Sequence, residues 1–137
     1  MDCDFLIPAA LGSAINESNV DTLSCKVVIE AANGPVTGDA ARSLHKRSIP
    51  VIPDILTNAG GVTVSYFEWV QNLQQFKWTE DEVNKKLEDK MVRAFHEVYS
   101  MKKERGVAMR IASFMVSIDR VHSAYNLSCL LYTSDAA

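Results

Sequence analysis

Asn58, Val62 and Ser65 are the positions whose types and spacing could do chemistry in this chain. Asn58 opens the stretch NAGGVTVSYFEW, in which an amide and two adjacent glycines precede an apolar and aromatic run. Such glycines let a backbone turn sharply or approach a ligand closely. At about 100° per residue, a helix would set Asn58, Val62 and Ser65 within roughly 60° of one another. An amide, a small apolar wall and a hydroxyl on one face suit a small polar ligand. A buried helix start with a satisfied serine fits the same composition, and on composition alone it is the favoured reading. Tyr66, Phe67 and Trp69 read as core packing.

Other catalytic signatures are missing. The six glycines, Gly12, Gly34, Gly38, Gly60, Gly61 and Gly106, build neither G-x-G-x-x-G nor a P-loop. No Ser–His or Cys–His pair stands in a recognisable local motif, and no Lys or Asp is marked as catalytic by its context. His45, His96 and His122 lack metal-ligand spacing, so no metal site is expected. Cys3, Cys25 and Cys129 are odd in number and without a CxxC, which implies reduced thiols in a cytosol-like or matrix compartment.

The elements that must position these residues alternate. Phe5-Leu6-Ile7, closed by Pro8, predicts a buried strand; Ile15 to Leu23 predicts a short polar helix or turn segment. Lys26 to Glu30, KVVIE, predicts a second strand from its β-branched content. Asn33-Gly34-Pro35 then makes a tight connection. Thr37 or Asp39 could cap a helix reaching about Arg47, and Ile49 to Ile52 predicts a third strand, short or near an edge because of Pro50 and Pro53. Strands alternating with helices indicate an α/β domain with a parallel sheet, whose ligands gather outside the carboxyl ends of the strands. Pro8-Ala9-Ala10, Asn33-Gly34-Pro35 and Asn58-Ala59-Gly60-Gly61 all follow strands, so all three belong on one rim.

The remainder predicts helices. One spans about Ala59 to Gln75. A second starts at the capping-box pattern Thr79–Glu82, buries Val83, Leu87, Met91, Ala94, Val98 and Met101, and stops at Gly106. On its solvated side Asp81–Lys85, Glu82–Lys86 and Arg93–Glu97 are spaced to pair. A third helix runs from about Met109 to Tyr125 with Ile111, Met115, Ile118 and Val121 or His122 inward. Residues 126–137 are expected to form an irregular tail, non-native from Leu131 onward, with an ordinary frayed terminus as the alternative. The domain proper is therefore 1–125.

Composition limits the function classes. The 137 residues allow one domain or part of one, and a formal net charge of -3 gives no general attraction to nucleic acid or anionic membrane. No run of about 20 apolar residues exists to span a membrane.

NAGGVTVSYFEWVQN, with EAANGP, PDIL and DFLIPAAL before it, resembles glutamate dehydrogenase, in the Glu/Leu/Phe/Val dehydrogenase family, from about Cys3 to Tyr125. The short link from Trp69 to Thr79 resembles bacterial, archaeal or plant-type members. The resemblance implies a partial doubly wound, Rossmann-like parallel sheet of about three strands followed by C-terminal helices. It implies that Asn33 and Asn58 reach the ribose and carboxamide of a nicotinamide cofactor, NAD or NADP, with Ala9 and Ala10 beside the adenosine part. It also implies that Ser65 binds the side-chain carboxylate of glutamate and that Val62 walls that pocket. The parent would interconvert glutamate and 2-oxoglutarate plus ammonia, as a homohexamer, in cytoplasm or, in a eukaryote, the mitochondrial matrix.

Two departures stand out. Ala31 replaces a glycine usual in the family and is expected to crowd the turn, and Arg110-Ile111-Ala112-Ser113 replaces Arg-Thr-Ala-Ala. The family's lysines, catalytic Asp and Gly-rich loop lie upstream of anything present, so this chain is expected to hold no catalytic residue, to start at an internal or arbitrary Met1, and to be inactive alone. The alternative is a non-catalytic nucleotide-binding or interaction module of the same fold.

Overall fold

A computed structural model describes residues 2–134, with side chains described through residue 128. Its sheet is parallel and ordered β1-β2-β3, from β1 (Asp2–Leu6), β2 (Ser24–Ile29) and β3 (Val51–Ile52). The β-branched pair Val27-Val28 suits the central strand, and Val28 is fully buried there. β3, held short between Pro50 and Pro53, lies at one edge as the sequence predicts. β1 corrects the expectation of a buried strand. It lies at the other edge with a neighbour on one side only, and Phe5 is 63% exposed.

Between β1 and β2 the chain makes one 3₁₀ turn, Val20–Thr22. The crossover from β2 to β3 is helix α1 (Gly38–Lys46). Of its two candidate caps, Thr37 is the one used: its Oγ1 accepts from Ala40 N at 3.3 Å and donates to Glu17 Oε1 at 2.7 Å. The Thr37 hydroxyl, foremost among several contacts, holds the Glu17 carboxyl below its usual range. Ala40 and Leu44 of α1 pack with Ile15, Val20, Val28 and Val36 as the first core.

The second core joins the sheet edge to the terminal helices. Helix α2 (Asp54–Thr57) leads through Asn58 into α3 (Ala59–Gln74), followed by α4 (Glu80–Arg105) and α5 (Met109–Ser134). Leu56, Val98, Met109 and Ala112 form its buried centre. The inward stripe of α4 matches the sequence expectation, and Gly106, at φ 64°, ends the helix in the left-handed conformation that glycine adopts without strain. Both halves of the capping box form, Glu82 N to Thr79 Oγ1 at 3.3 Å and Thr79 N to Glu82 Oε2 at 2.7 Å. Thr79→Ala should therefore cost about 1 kcal/mol, read as a lower urea midpoint with an unchanged slope.

Several side-chain expectations change. Because Glu82 serves the cap, Lys86 sits over the Trp78 ring at 4.8 Å; Lys85 pairs with Asp89 at 3.0 Å, and Glu97 pairs with Arg120 of α5. α5 is rotated from its expected face. Ala112 and Ser113 are buried, while Ile111, Ile118 and Val121 are exposed, because small residues let the helix approach the β3–α2 edge closely. His122 is exposed as well. α5 also continues through Ser134 instead of giving way at residue 126 to an irregular tail. No glycine or proline interrupts residues 126–134, so nothing breaks the helical hydrogen bonding. Residues 135–137 lie outside the described residues. Tyr66 and Trp69 are 58% and 55% exposed rather than core; only Phe67 is partly covered, edge-on to Trp78.

Candidate functional site

Hydrogen bonds bring the loops after β1 and β2 together with the start of α2 on one rim at the carboxyl ends of the strands. The third predicted segment, Asn58-Ala59-Gly60-Gly61, follows α2 and forms the first turn of α3 instead of a loop leaving β3. Pro8 O, just after β1, accepts from Ala31 N at 3.1 Å and Ala32 N at 2.9 Å, just after β2. Gly34 N, on the same loop, donates to Asp54 Oδ2 at 2.8 Å, at the start of α2. Gly34 holds φ at +56°, which glycine alone adopts freely. Ser13 N and Ile15 N brace the loop from the other side through Gly34 O and Pro35 O. Ala31 keeps an ordinary negative φ, so the backbone at this turn does not require the glycine usual in the family.

The two predicted amides meet on this rim. Asn58 sits between α2 and α3 in a helical conformation and makes no cap bond with its side chain. Its Nδ2 instead donates to Asn33 Oδ1 at 3.0 Å and reaches Ala32 O at 3.5 Å. This bond fixes the orientation of both amides and leaves Asn58 Oδ1 free to accept and Asn33 Nδ2 free to donate. Ala9 and Ala10 are exposed on the adjoining loop.

Val62 and Ser65 stand on the outer surface of α3. Val62 is 70% exposed. Ser65 is exposed too, and its Oγ donates to Gly61 O one helical turn back, at 3.2 Å. At about 1.5 Å per residue, Ser65 lies roughly 10 Å along the helix from Asn58. Two depressions occur elsewhere, one of about 840 Å³ between α4 and α5 near Glu97 and Arg120, the other of about 480 Å³ at the amino ends of β1 and β2. Neither is lined by the predicted site residues.

What sequence reasoning missed is the charge cluster under the rim. Glu30 closes β2 and is fully buried. Its Oε2 accepts from Asp54 N at 2.8 Å and from Arg110 Nη2 of α5. Asp54 Oδ1 accepts from Arg110 Nη1 at 2.9 Å and from Ile55 N at 2.8 Å. Glu30 Oε1 is buried with no partner. Burial, reinforced by the Asp54 charge, pushes the Glu30 carboxyl up against the Asp54 N–H and Arg110. Burial also acts on Asp54, but the Gly34 and Ile55 N–H groups and Arg110 outweigh it and hold that carboxyl below its usual range. One guanidinium thus ties β2, α2 and α5 together beneath the loops that carry Asn33 and Asn58. The available signal was an acid closing an otherwise apolar strand, since a charge in that position needs a partner.

Residues 1–128 match the family model described as Glutamate/Leucine/Phenylalanine/Valine dehydrogenase. The NAD-specific glutamate dehydrogenase of Staphylococcus aureus (strain COL) is 48% identical over 124 residues, covering 90% of this chain and 30% of that protein. The cryptic catabolic NAD-specific glutamate dehydrogenase of Bacillus subtilis (strain 168) is also 48% identical, over 90% of this chain and 29% of its own. Among solved structures, a glutamate dehydrogenase from Peptoniphilus asaccharolyticus superposes with a TM-score of 0.85 at 43% identity, covering 89% of this chain and 31% of that one. The hetero-hexameric glutamate dehydrogenase from Thermus thermophilus, in a Leu-bound form, gives 0.87 at 28%, covering 91% and 30%. This chain therefore spans about 30% of the length of the curated relatives it matches.

Proposed function

Because this chain belongs to the glutamate/leucine/phenylalanine/valine dehydrogenase family, we propose that it supplies the nicotinamide-side rim of a glutamate dehydrogenase that uses NAD. The observation that carries the reading is the Asn58 Nδ2–Asn33 Oδ1 bond, which presents a paired donor and acceptor where two strands end. Two neutral amides suit a carboxamide and a ribose, because they satisfy polar groups without placing a fixed charge beside the ring. Small Ala9 and Ala10 keep the neighbouring backbone approachable for the adenosine part. NAD, when bound, supplies the hydride acceptor for glutamate oxidation and the donor in reverse.

The chain's own residues hold and orient in this proposal; none takes or gives a proton. Val62 walls the amino-acid pocket, and Ser65 donates to the side-chain carboxylate of glutamate after releasing Gly61 O. The Glu30–Arg110–Asp54 cluster keeps the amide-bearing loops in place. We assign the acid–base groups to sequence outside these 137 residues. The parent is a hexamer in this reading, working in a cytoplasm or a mitochondrial matrix. Among the described residues, no helix is long and apolar enough to cross a membrane.

Two assays test the proposal. A full-length protein carrying this segment should reduce NAD with glutamate far faster than with leucine or phenylalanine; a reversed preference overturns the substrate assignment. These 137 residues alone should give no glutamate-dependent NADH formation. The exposed row Val62, Tyr66, Trp69 and Leu73 on α3 should make the isolated chain self-associate on heating, seen as light scattering during the melt. A reversible melt without scattering favours the alternative, a self-sufficient binding module.

A further inference from the structure

At the end of the sheet opposite the rim, the register sets Cys3 of β1 directly beside Cys25 of β2. Side chains at matched positions of neighbouring parallel strands project from the same face of the sheet. Neighbouring strands lie about 4.7–4.9 Å apart, within the roughly 4.4–6.8 Å Cα separation over which a disulfide can close. Both thiols are free and half-buried. Both line the open depression of about 480 Å³, together with Ser24 and Arg47, so a small solute can reach them. Arg47 is fixed there by donating to Val20 O at 2.7 Å and Leu23 O at 2.5 Å, and Lys26 is paired with Asp4 at 2.6 Å.

We propose that Cys3 and Cys25 form a cross-strand dithiol site that reacts with low-molecular-weight disulfides of the glutathione type and closes to an intramolecular disulfide. In the first step one protein thiolate attacks the small disulfide, forming a mixed disulfide and expelling one small thiol. The second cysteine then attacks the protein-side sulfur, forming the Cys3–Cys25 bond and expelling the second small thiol. Two protein thiols are oxidised, and one small disulfide is reduced to two thiols. Side-by-side residues keep their Cβ atoms at about the strand spacing, wider than the roughly 3.8 Å a relaxed disulfide prefers. The bond is therefore strained and readily reduced, a reversible modification rather than a permanent staple. Burial, followed by the neighbouring Cys3, pushes the Cys25 thiol up against the pull of Arg47. Neighbouring position, not unusual acidity, is what sets the pair apart from a single surface thiol.

The 137-residue chain is incubated with oxidised glutathione, alkylated with iodoacetamide and mapped by peptide mass, with the Cys129 peptide as internal reference. The expected product is a linked pair of peptides containing Cys3 and Cys25. Alkylation at both should fall about tenfold or more and return after dithiothreitol. Cys25→Ser should instead hold Cys3 as the glutathione mixed disulfide, and Cys3→Ser should do the same to Cys25. Persistent mixed disulfides at both positions of the unmutated chain, unchanged alkylation, or linkage to Cys129 or to a second chain would each overturn the proposal.

Discussion

Arg110→Met should destabilise the fold by about 3 kcal/mol or more at neutral pH, and by distinctly less near pH 4. Arg110 is the cation facing Glu30, whose side chain is fully buried and whose Oε1 has no partner. Removing one member of a buried pair leaves an uncompensated charge, which typically costs about 3–5 kcal/mol. The pH dependence follows from the proton balance. The folded-state pKa of Glu30 is already raised, so stability is fully present below its unfolded pKa and falls as pH climbs to the folded one. Without Arg110 that folded pKa rises further and the falling window extends toward neutrality. Asp54 acts in the opposite sense: its lowered pKa adds stability above its unfolded value, lost as pH falls through the folded one, and without Arg110 this contribution shrinks. Urea melts of both proteins between pH 4 and 8 measure the difference. A further change, Glu30→Gln in the Arg110→Met background, should recover part of the loss at pH 7 and little at pH 4. A destabilisation independent of pH, or no rescue by Glu30→Gln, would mean that Arg110 contributes packing and not charge.

That cluster also marks the limit of what this sequence discloses. Local grammar was readable: Thr79 with Glu82, Gly106 at a helix end, and KVVIE as a strand are each decided within a few residues. The shared rim was readable too, since parallel topology sends every strand's exit loop to the same side. The Arg110–Glu30 contact was not, because its partners are 80 residues apart and no periodicity links them. The face of α5 was misjudged for a related reason. Ile111, Ile118 and Val121 are the larger apolar residues, yet close packing against α2 and β3 selects Ala112 and Ser113, and sequence spacing does not weigh steric fit. Tyr66 and Trp69 failed as core residues because apolar character predicts that a surface wants covering without saying by what.

Ser65→Ala separates a structural serine from a substrate-binding one, because the two roles predict opposite readouts. In the chain itself the hydroxyl is exposed and donates to Gly61 O within its own helix, a contact that water replaces easily. Alanine is the better helix former, so the substitution should leave stability unchanged or raise it by a few tenths of a kcal/mol. In a full-length enzyme carrying this segment, the proposed role predicts a large loss instead. A hydroxyl hydrogen bond to a carboxylate contributes about 1.5–3 kcal/mol, which corresponds to a rise in KM for glutamate of roughly 10- to 150-fold. The KM for NAD should stay within about twofold, because Asn58, proposed to face the cofactor, lies roughly 10 Å along the helix from Ser65. Ser65→Thr, which keeps the donor, should recover most of the glutamate affinity if its extra methyl is accommodated beside Val62. A KM for glutamate that does not move in Ser65→Ala, or a Tm that falls sharply, would return Ser65 to the plain role of a helix residue whose hydroxyl serves only its own backbone.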